Sequence, residues 1–588
     1  MGVVFLSGGG VSKSEGNGIP PSFCTNLKIK KTTGSFIAWK NTEGATVYTK
    51  SINAADNVPV YQSNGTSLVK IETISAAGGN EITLSDGLVY TKSEGDNITA
   101  AVYSLNWKDP QDTILEDQLL ATWKGTKIVR RAGNYPGSNT DGTEIADNTT
   151  RNAYSAAKFE DIVLDVETEY FYKAFPYSAN GVVCLDDRNR FGSATVYEFI
   201  IDQSNSNPKS RVKYAGLNEK FSPAFMDYTN DEFKYNSWEN AFFLDLFKPC
   251  MLKNDGTVDY YLCPTDFSKR EDGVTASDIS NTSYAGNAMV EVGQIWLKEV
   301  NENGKIHVYI ANQKVDDDFD CFTHVNADGS YNEFYYRAIY DGSNISNKIR
   351  SLSGQTICSN VAGNTQISYA QANGTGWDVD EYCFRRLINY LLILMSKSTD
   401  TQTAFGTGRY TGYVNTSNTN QIKTGTLDNR GMFYGDNNNG GVKVFYMENW
   451  WGNIWKITNG LIQSGGKLYY KMCPSMQDGS TVTGYQQTAA TGYIDSGVTL
   501  SGTISELYIK EMQVVPHLGL VPTAASGGSS STHYCDGMWS NSSVVGFARF
   551  GSNPHDGLLA GAFSLTVGSA VSTSVWHYGA ALSYRKAS

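Results

Sequence analysis

Nothing in this chain of 588 residues stays apolar for the ~20 positions that a helical bilayer span requires. The longest such run, Leu391–Met395, is flanked by Arg385, Arg386 and Lys397. Charge is sparse at 18% of residues and acidic on balance at -12, and no basic stripe stands out. Lys30–Lys31 and Arg130–Arg131 are too short to track a phosphate backbone, so neither a nucleic acid nor an anionic membrane is an expected partner. The nine cysteines (Cys24, Cys184, Cys250, Cys263, Cys321, Cys358, Cys383, Cys473 and Cys535) include no CxxC pair. Odd number and irregular spacing argue against a disulfide framework or a zinc site and for buried, reduced thiols. The first residues, MGVVFLSGGGVSKSEGNG, have no basic region before their short apolar stretch, so no signal peptide is expected. Synthesis and folding in a reducing cytoplasm follow as the expectation. The six histidines (His307, His324, His517, His533, His555 and His577) form no HExxH or HxH, and His533 beside Cys535 supplies too few ligands for a metal.

What is present is 40% hydrophobic residues, 58 glycines and 36 tyrosines. That is enough apolar material for several cores, and tyrosine suits both β-structure and contact surfaces. Residues 1–20 are Gly/Ser-rich and read as a flexible arm or attachment peptide. Residues 21–97 alternate in short segments such as SFIAWK, TVYTKSI and LVKIETI, the pattern of a small antiparallel β-domain. Residues 98–205 read as a second β-module, 206–216 as a linker and 217–588 as a larger mixed domain. One helix is predicted from Asp378 to about Lys397, with Asp378 as its cap and Glu381 completing a capping box. Phe384, Leu387, Ile388, Leu391, Leu394 and Met395 recur at helical spacing, and the helix is expected to be buried on two sides. The fold class expected is mainly β with an α+β C-terminal domain.

Two stretches carry resemblances. Residues 98–205 resemble a fibronectin type III sandwich, with Trp107 in the place of the early core tryptophan and the run from Thr168 in that of the late aromatic strand. MENWWGNIWKITNG (447–460) resembles the WxGN-type core motif of the C-type lectin fold, in the branch shared with formylglycine-generating and sulfatase-modifying enzymes. Trp450 or Trp451, Gly452, Asn453 and Trp455 match it. Gly452 permits a bend, Asn453 can bond the backbone around it, and the tryptophans fill a core. Trp576, Gly579 and Leu582 match the closing strand of that fold, and 556–563 the strand before it. Within this family the chain most resembles tail-fibre receptor-binding proteins of bacteriophages and prophages whose C-terminal segment is diversified by a retroelement.

That resemblance implies a variable segment at about 538–578. The ligand-binding positions it implies are Ser540, Ser542, Val544, Val545, Phe547, Phe550, Asn553, His555, Ser564, Thr566, Thr573, Val575, His577 and Tyr578, held outward by a frame of Trp539, Asp556, Gly557, Phe563, Trp576 and Gly579. A segment dense in fixing glycines yet without strand or helix period fits recognition loops on a rigid scaffold. The resemblance further implies a virion-tail protein whose N-terminal region joins other tail proteins. It would form a homotrimer and bind a bacterial cell-surface protein or glycan, without catalysis, cofactor or metal. The cysteine pair of the family's enzymes has no counterpart, since Cys535 stands alone and Cys473 is distant in sequence. The carboxylates Asp316–Asp318 and Asp320 read as an acidic loop, and the DGTVD and DNNNGG loops lack the terminal Glu of a calcium loop. The rival readings are a glycan-degrading tail enzyme, a structural virion decoration and an exported bacterial adhesin.

Overall fold

Val196–Asp202 reads Val-Tyr-Glu-Phe-Ile-Ile-Asp, and every second side chain, Tyr197, Phe199 and Ile201, is buried. Alternation of this kind places one strand face on a core and leaves the other wet. The computed structural model describes residues 20–50, 57–75, 79–115, 118–186, 189–192, 195–326, 328–412, 421–473 and 492–586. It is mainly β, with 44% strand and 9% helix. Two compact units divide it, Met1–Ser193 and Ala194–Ser588. The attachment arm expected at 1–20 lies outside the described residues except for Pro20.

The first unit contains an eight-stranded sheet in the order Thr46–Thr49, Val58–Ser63, Ser67–Ile74, Phe159–Val163, Ile98–Lys108, Thr25–Lys40, Val89–Lys92 and Glu81–Thr83. A three-stranded sheet, Thr143–Asn148, Trp123–Ala132 and Tyr170–Ser178, and a two-stranded one, Thr113–Leu115 and Gln118–Ala121, belong to the same unit. Tyr103, Leu105 and Trp107 from the eight-stranded sheet pack with Ile128, Tyr172 and Ala174 from the three-stranded one, so the two form a sandwich. A separate core of Trp39, Val47, Val60, Ile82 and Tyr90 serves the strands before residue 97. The boundary drawn at 97/98 still divides neither the sheet nor the core, since Phe36, Tyr61 and Leu68 share a third cluster with Ala100, Val102 and Ile162. The long strand Thr25–Lys40 pairs with Ile98–Lys108 from Phe36↔Ile98 onward and carries the sheet across it. Inside the sandwich Arg130 bonds Asp161 at 2.8 Å, and the Tyr172 hydroxyl donates to the same carboxylate at 2.8 Å.

The other boundary moves as well. Val196–Asp202, assigned from sequence to the second module, pairs with Lys305–Ala311 of the second unit. The expected linker 206–216 contains the strand Val212–Gly216, paired on the other side of Val196–Asp202. Val212 and Tyr214 are buried, an alternation too short to register against the polar run before it.

The second unit is built on a fifteen-stranded sheet. Its centre runs Phe334–Ala338, Leu582–Tyr584, Trp377–Glu381, Trp455–Ser464, Gly546–Phe550, Leu565–Val567 and Gly537–Ser540. Along one edge Trp455–Ser464 is parallel first to Tyr578–Ala580, through Trp455–Ile457, and then to Trp377–Glu381, through Thr458 and Asn459, while Gly546–Phe550 runs antiparallel on the other edge. All fifteen residues of the helix Tyr382–Ser396 are buried against this sheet, beyond the two covered sides expected. The capping box does not form. Asp378–Glu381 is a buried strand, and the helix begins only at Tyr382 with no side-chain cap. Both acids are held by tertiary partners instead: Asp378 accepts from Asn459 at 3.0 Å, and Glu381 accepts from Arg585 at 2.6 Å. None of the nine cysteines is in a disulfide, and all but Cys263 are buried. No helix among the described residues is long and apolar enough to cross a membrane.

His324 shows what burial does to a titrating group here. Its Nε2 faces the Val292 carbonyl at 2.9 Å and its Nδ1 the Cys321 thiol at 3.3 Å, and burial pushes its pKa down to about 4. The unfolded imidazole takes its proton near pH 6.5 and the folded one only near 4. This contribution to stability is therefore complete above pH 6.5 and falls as pH drops through that window. Between pH 7 and pH 5 the wild type is expected to lose about 2 kcal/mol more than His324→Gln, measured by urea denaturation at each pH.

Candidate functional site

Gly452 sits at φ +76 where a Cβ would meet the Arg409 nitrogen at 2.7 Å, so the turn before the central strand admits only glycine. The next residue, Asn453, is also left-handed. Its Oδ1 accepts from the Ile422 N–H at 2.9 Å, and its Nδ2 donates to buried Asp341 at 3.0 Å. Trp450 and Trp451 are fully buried beside this turn. The turn delivers Trp455 to the start of its strand, where its N–H donates to the His577 carbonyl at 2.9 Å and its register partner is Tyr578.

Around Trp455 the C-terminal strands assemble a pocket of about 260 Å³. Trp539, from Gly537–Ser540, sets its ring edge-on to Trp455, with centroids 5.1 Å apart at 84°. Trp576, His577 and Tyr578 follow as a chain of perpendicular rings, 5.0 Å apart at 82° and then 4.6 Å apart at 84°. Thr566, the register partner of Trp539, completes that wall. Asn553, His555 and Asp556 come from the turn after Gly546–Phe550, and Glu506 from Ile504–Tyr508. The register shifts between Ile504 and Leu507 and Glu506 takes a φ of +54, a bulge that re-aims this exposed carboxylate toward the pocket.

The polar groups fall into two classes. Asp556 is a support: its Oδ2 accepts from the Ser552 hydroxyl at 2.5 Å and from both nitrogens of Asn553, at 3.0 and 2.7 Å. Burial raises its carboxyl to about 6 despite those bonds. His577 is available to a ligand and uncharged at neutral pH, because burial first, then the nearby Arg549 charge, push it down to about 4. Arg549 lies behind the wall with its guanidinium carbon 4.0 Å from the Tyr578 ring centre. Its nitrogens donate to the carbonyls of Phe547, Ser569 and Ala570.

Of the fourteen positions expected to bind, the structure gathers Asn553, His555, Thr566, His577 and Tyr578 at this pocket. Ser542, Val544, Val545, Thr573 and Val575 are half-buried and lie outside it. Ser540, Phe547, Phe550 and Ser564 are corrections, since all four are buried away from the pocket; Asn553, Thr566 and Tyr578 are buried too but line it. Phe547 and Phe550, three apart on one strand, point to opposite faces, and both faces are covered. Phe547 packs in the cluster holding Ile457 and Ile462, and Phe550 in the cluster holding Tyr382. The segment read as irregular loops is mostly turns, interrupted by the short strands Gly537–Ser540, Gly546–Phe550 and Leu565–Val567, and 556–563, matched to a strand, instead contains the 3₁₀ turn Gly557–Leu559. Of the expected frame, Phe563 and Gly579 are buried as such, while Trp539, Asp556 and Trp576 line the pocket themselves. Sequence reasoning assigned Trp455 to the core and passed over Glu506. The WxGN-type motif marks the former; nothing local marks the latter.

Elsewhere the carboxylates that raised the question of hydrolysis are tied up. Lys298 pairs with Asp316 and Asp318 at 3.0 and 2.9 Å, and Arg386 holds Asp320 at 2.6 Å. Among the described residues no three His, Cys, Asp or Glu side chains are grouped to hold a metal ion. Compared with known proteins, the chain matches no family model and no curated protein.

Proposed function

We propose that the chain is a receptor-binding protein of a bacteriophage or prophage tail. Its second unit, in a C-type-lectin-like arrangement, would recognise a bacterial surface molecule without chemistry. One observation carries this: five positions expected from the family resemblance to bind converge on a single aromatic pocket, although they are spread over 26 residues of chain, from 553 to 578. Rigid elements on either side hold the pocket, which is what recognition at low ordering cost needs. The first unit, with its fibronectin-like sandwich around Trp107, serves as spacer and attachment to other tail proteins. Three copies on one tip would add avidity to a modest single-site affinity.

Trp539 is the pocket tryptophan that remains half exposed, so it is the anchor to remove. Trp539→Ala is expected to weaken adsorption of the purified chain to susceptible cells by about thirtyfold or more, the loss of a central aromatic hot spot. Flow cytometry with fluorescently labelled protein measures it, and adsorption equal to the wild type would overturn the reading. One observation favours the rival hydrolase: Asp556, with its raised carboxyl, and Glu506 line the same pocket. Two carboxyls flanking a bond are what glycoside hydrolysis uses. Because Asp556 is already occupied by Ser552 and Asn553, no release of reducing ends from purified host polysaccharide is expected.

A further inference from the structure

We infer that the pocket takes an uncharged pyranose ring, the terminal or exposed sugar of a surface glycan, stacked on Trp539 with its hydroxyls facing His577 and Glu506. The inference rests on the recognition reading above and names the ligand class for that site.

Three features select this chemistry. The first is sign. No lysine or arginine lines the pocket, and Arg549, the nearest guanidinium, is spent on three carbonyls behind Tyr578. A phosphate, a uronic acid or a sialic acid would bury its charge against Glu506 and Asp556 with nothing to balance it, at a cost no hydrogen bond here offsets. The second is the balance of donors and acceptors. A hydroxyl both donates and accepts. A neutral imidazole offers one of each, and His577 is neutral across the physiological range. Glu506, exposed and outside every ion pair and hydrogen bond of the described residues, accepts, while the indole N–H of Trp539 donates. An organic ammonium would use the acceptors alone and leave the donors idle, and Asp556, the deeper acid, has its Oδ2 filled three times over. The third is shape. Trp539, the one pocket indole that is not buried, can offer a flat apolar face to the C–H side of a saturated ring, and about 260 Å³ accommodates one such ring rather than a peptide segment.

The test uses the intact chain and a panel of immobilised oligosaccharides ending in uncharged hexoses or N-acetylhexosamines. Glycans ending in uronic or sialic acid and phosphocholine conjugates serve as comparators. Binding to at least one uncharged terminus is expected, saturable, and followed in solution by a change in tryptophan fluorescence with the free oligosaccharide. Trp539→Ala and the surface variant Glu506→Gln should each weaken it tenfold or more while near-UV circular dichroism stays that of the wild type. Two pH steps are expected in the affinity, one near pH 6 as Asp556 takes its proton and a loss near pH 4 as His577 takes one. If Trp539→Ala abolishes adsorption to cells but no uncharged glycan binds or competes, or a charged comparator binds better, the sugar assignment is overturned and the recognition reading stands. If Trp539→Ala adsorbs to cells like the wild type, the recognition reading itself falls.

Discussion

Phe550→Ala is expected to cost the second unit about 3–5 kcal/mol, whereas His555→Ala and Ser542→Ala should each stay within about 0.5 kcal/mol of the wild type. All three positions belong to the set that the family resemblance marks for free exchange, and burial separates these three. Phe550 is 2% exposed, its ring edge-on to Tyr382 at 5.1 Å and 4.8 Å from the Arg385 guanidinium carbon. Removing it opens a cavity between a strand and the buried helix, where neither can collapse inward. Urea denaturation followed by tryptophan fluorescence separates the outcomes. A neutral Phe550→Ala would mean that Gly546–Phe550 is not packed on both faces, and the pocket architecture would fail with it. The same partition bears on diversification. If the codons of this segment vary among relatives, variation should concentrate at Asn553, His555, Thr566, His577 and Tyr578 and spare Phe547 and Phe550.

Asp380→Ala should be as damaging, by about 3–5 kcal/mol, for an electrostatic reason. Asp380 is completely buried between Arg385 at 3.1 Å and Arg337 at 3.6 Å, and both guanidiniums are themselves buried against the Trp450 ring. Deleting the carboxylate leaves two like charges without solvent or counterion, which is costlier than never having built the pair. Replacing Lys314, whose partner Asp317 is fully exposed, should by contrast change nothing measurable in the same assay. A mild effect of Asp380→Ala would show that water reaches this network, and the stiffness ascribed to the frame around Trp450 would have to be withdrawn.

These two substitutions also show where sequence patterns stop being informative. Helical spacing located Tyr382–Ser396, because a run of apolar residues three and four apart has few other uses. It misplaced the start, since Asp378 and Glu381 match a capping box but have stronger partners, Asn459 and Arg585, 81 and 204 residues away. A local rule cannot weigh a partner so distant. Trp107, Trp450 and Gly452 were legible for the same reason as the helix: a tryptophan or glycine in a tight motif has a narrow range of roles. Trp539 and Trp576 were assigned to the frame and Trp455 to the core by residue type, and only the meeting of three separate segments turns them into pocket walls.

The sequence by itself determined a mainly β chain with one buried helix, thiols outside any disulfide, and a glycine- and tryptophan-built turn at 450–455. Each of these follows from period, composition or backbone freedom within a few residues. Tertiary structure alone decided where the units divide, which of the fourteen positions face a ligand and which carboxylates are spent. Those outcomes depend on whether a strand is covered on one face or two, and that is set by neighbours arriving from more than a hundred residues away.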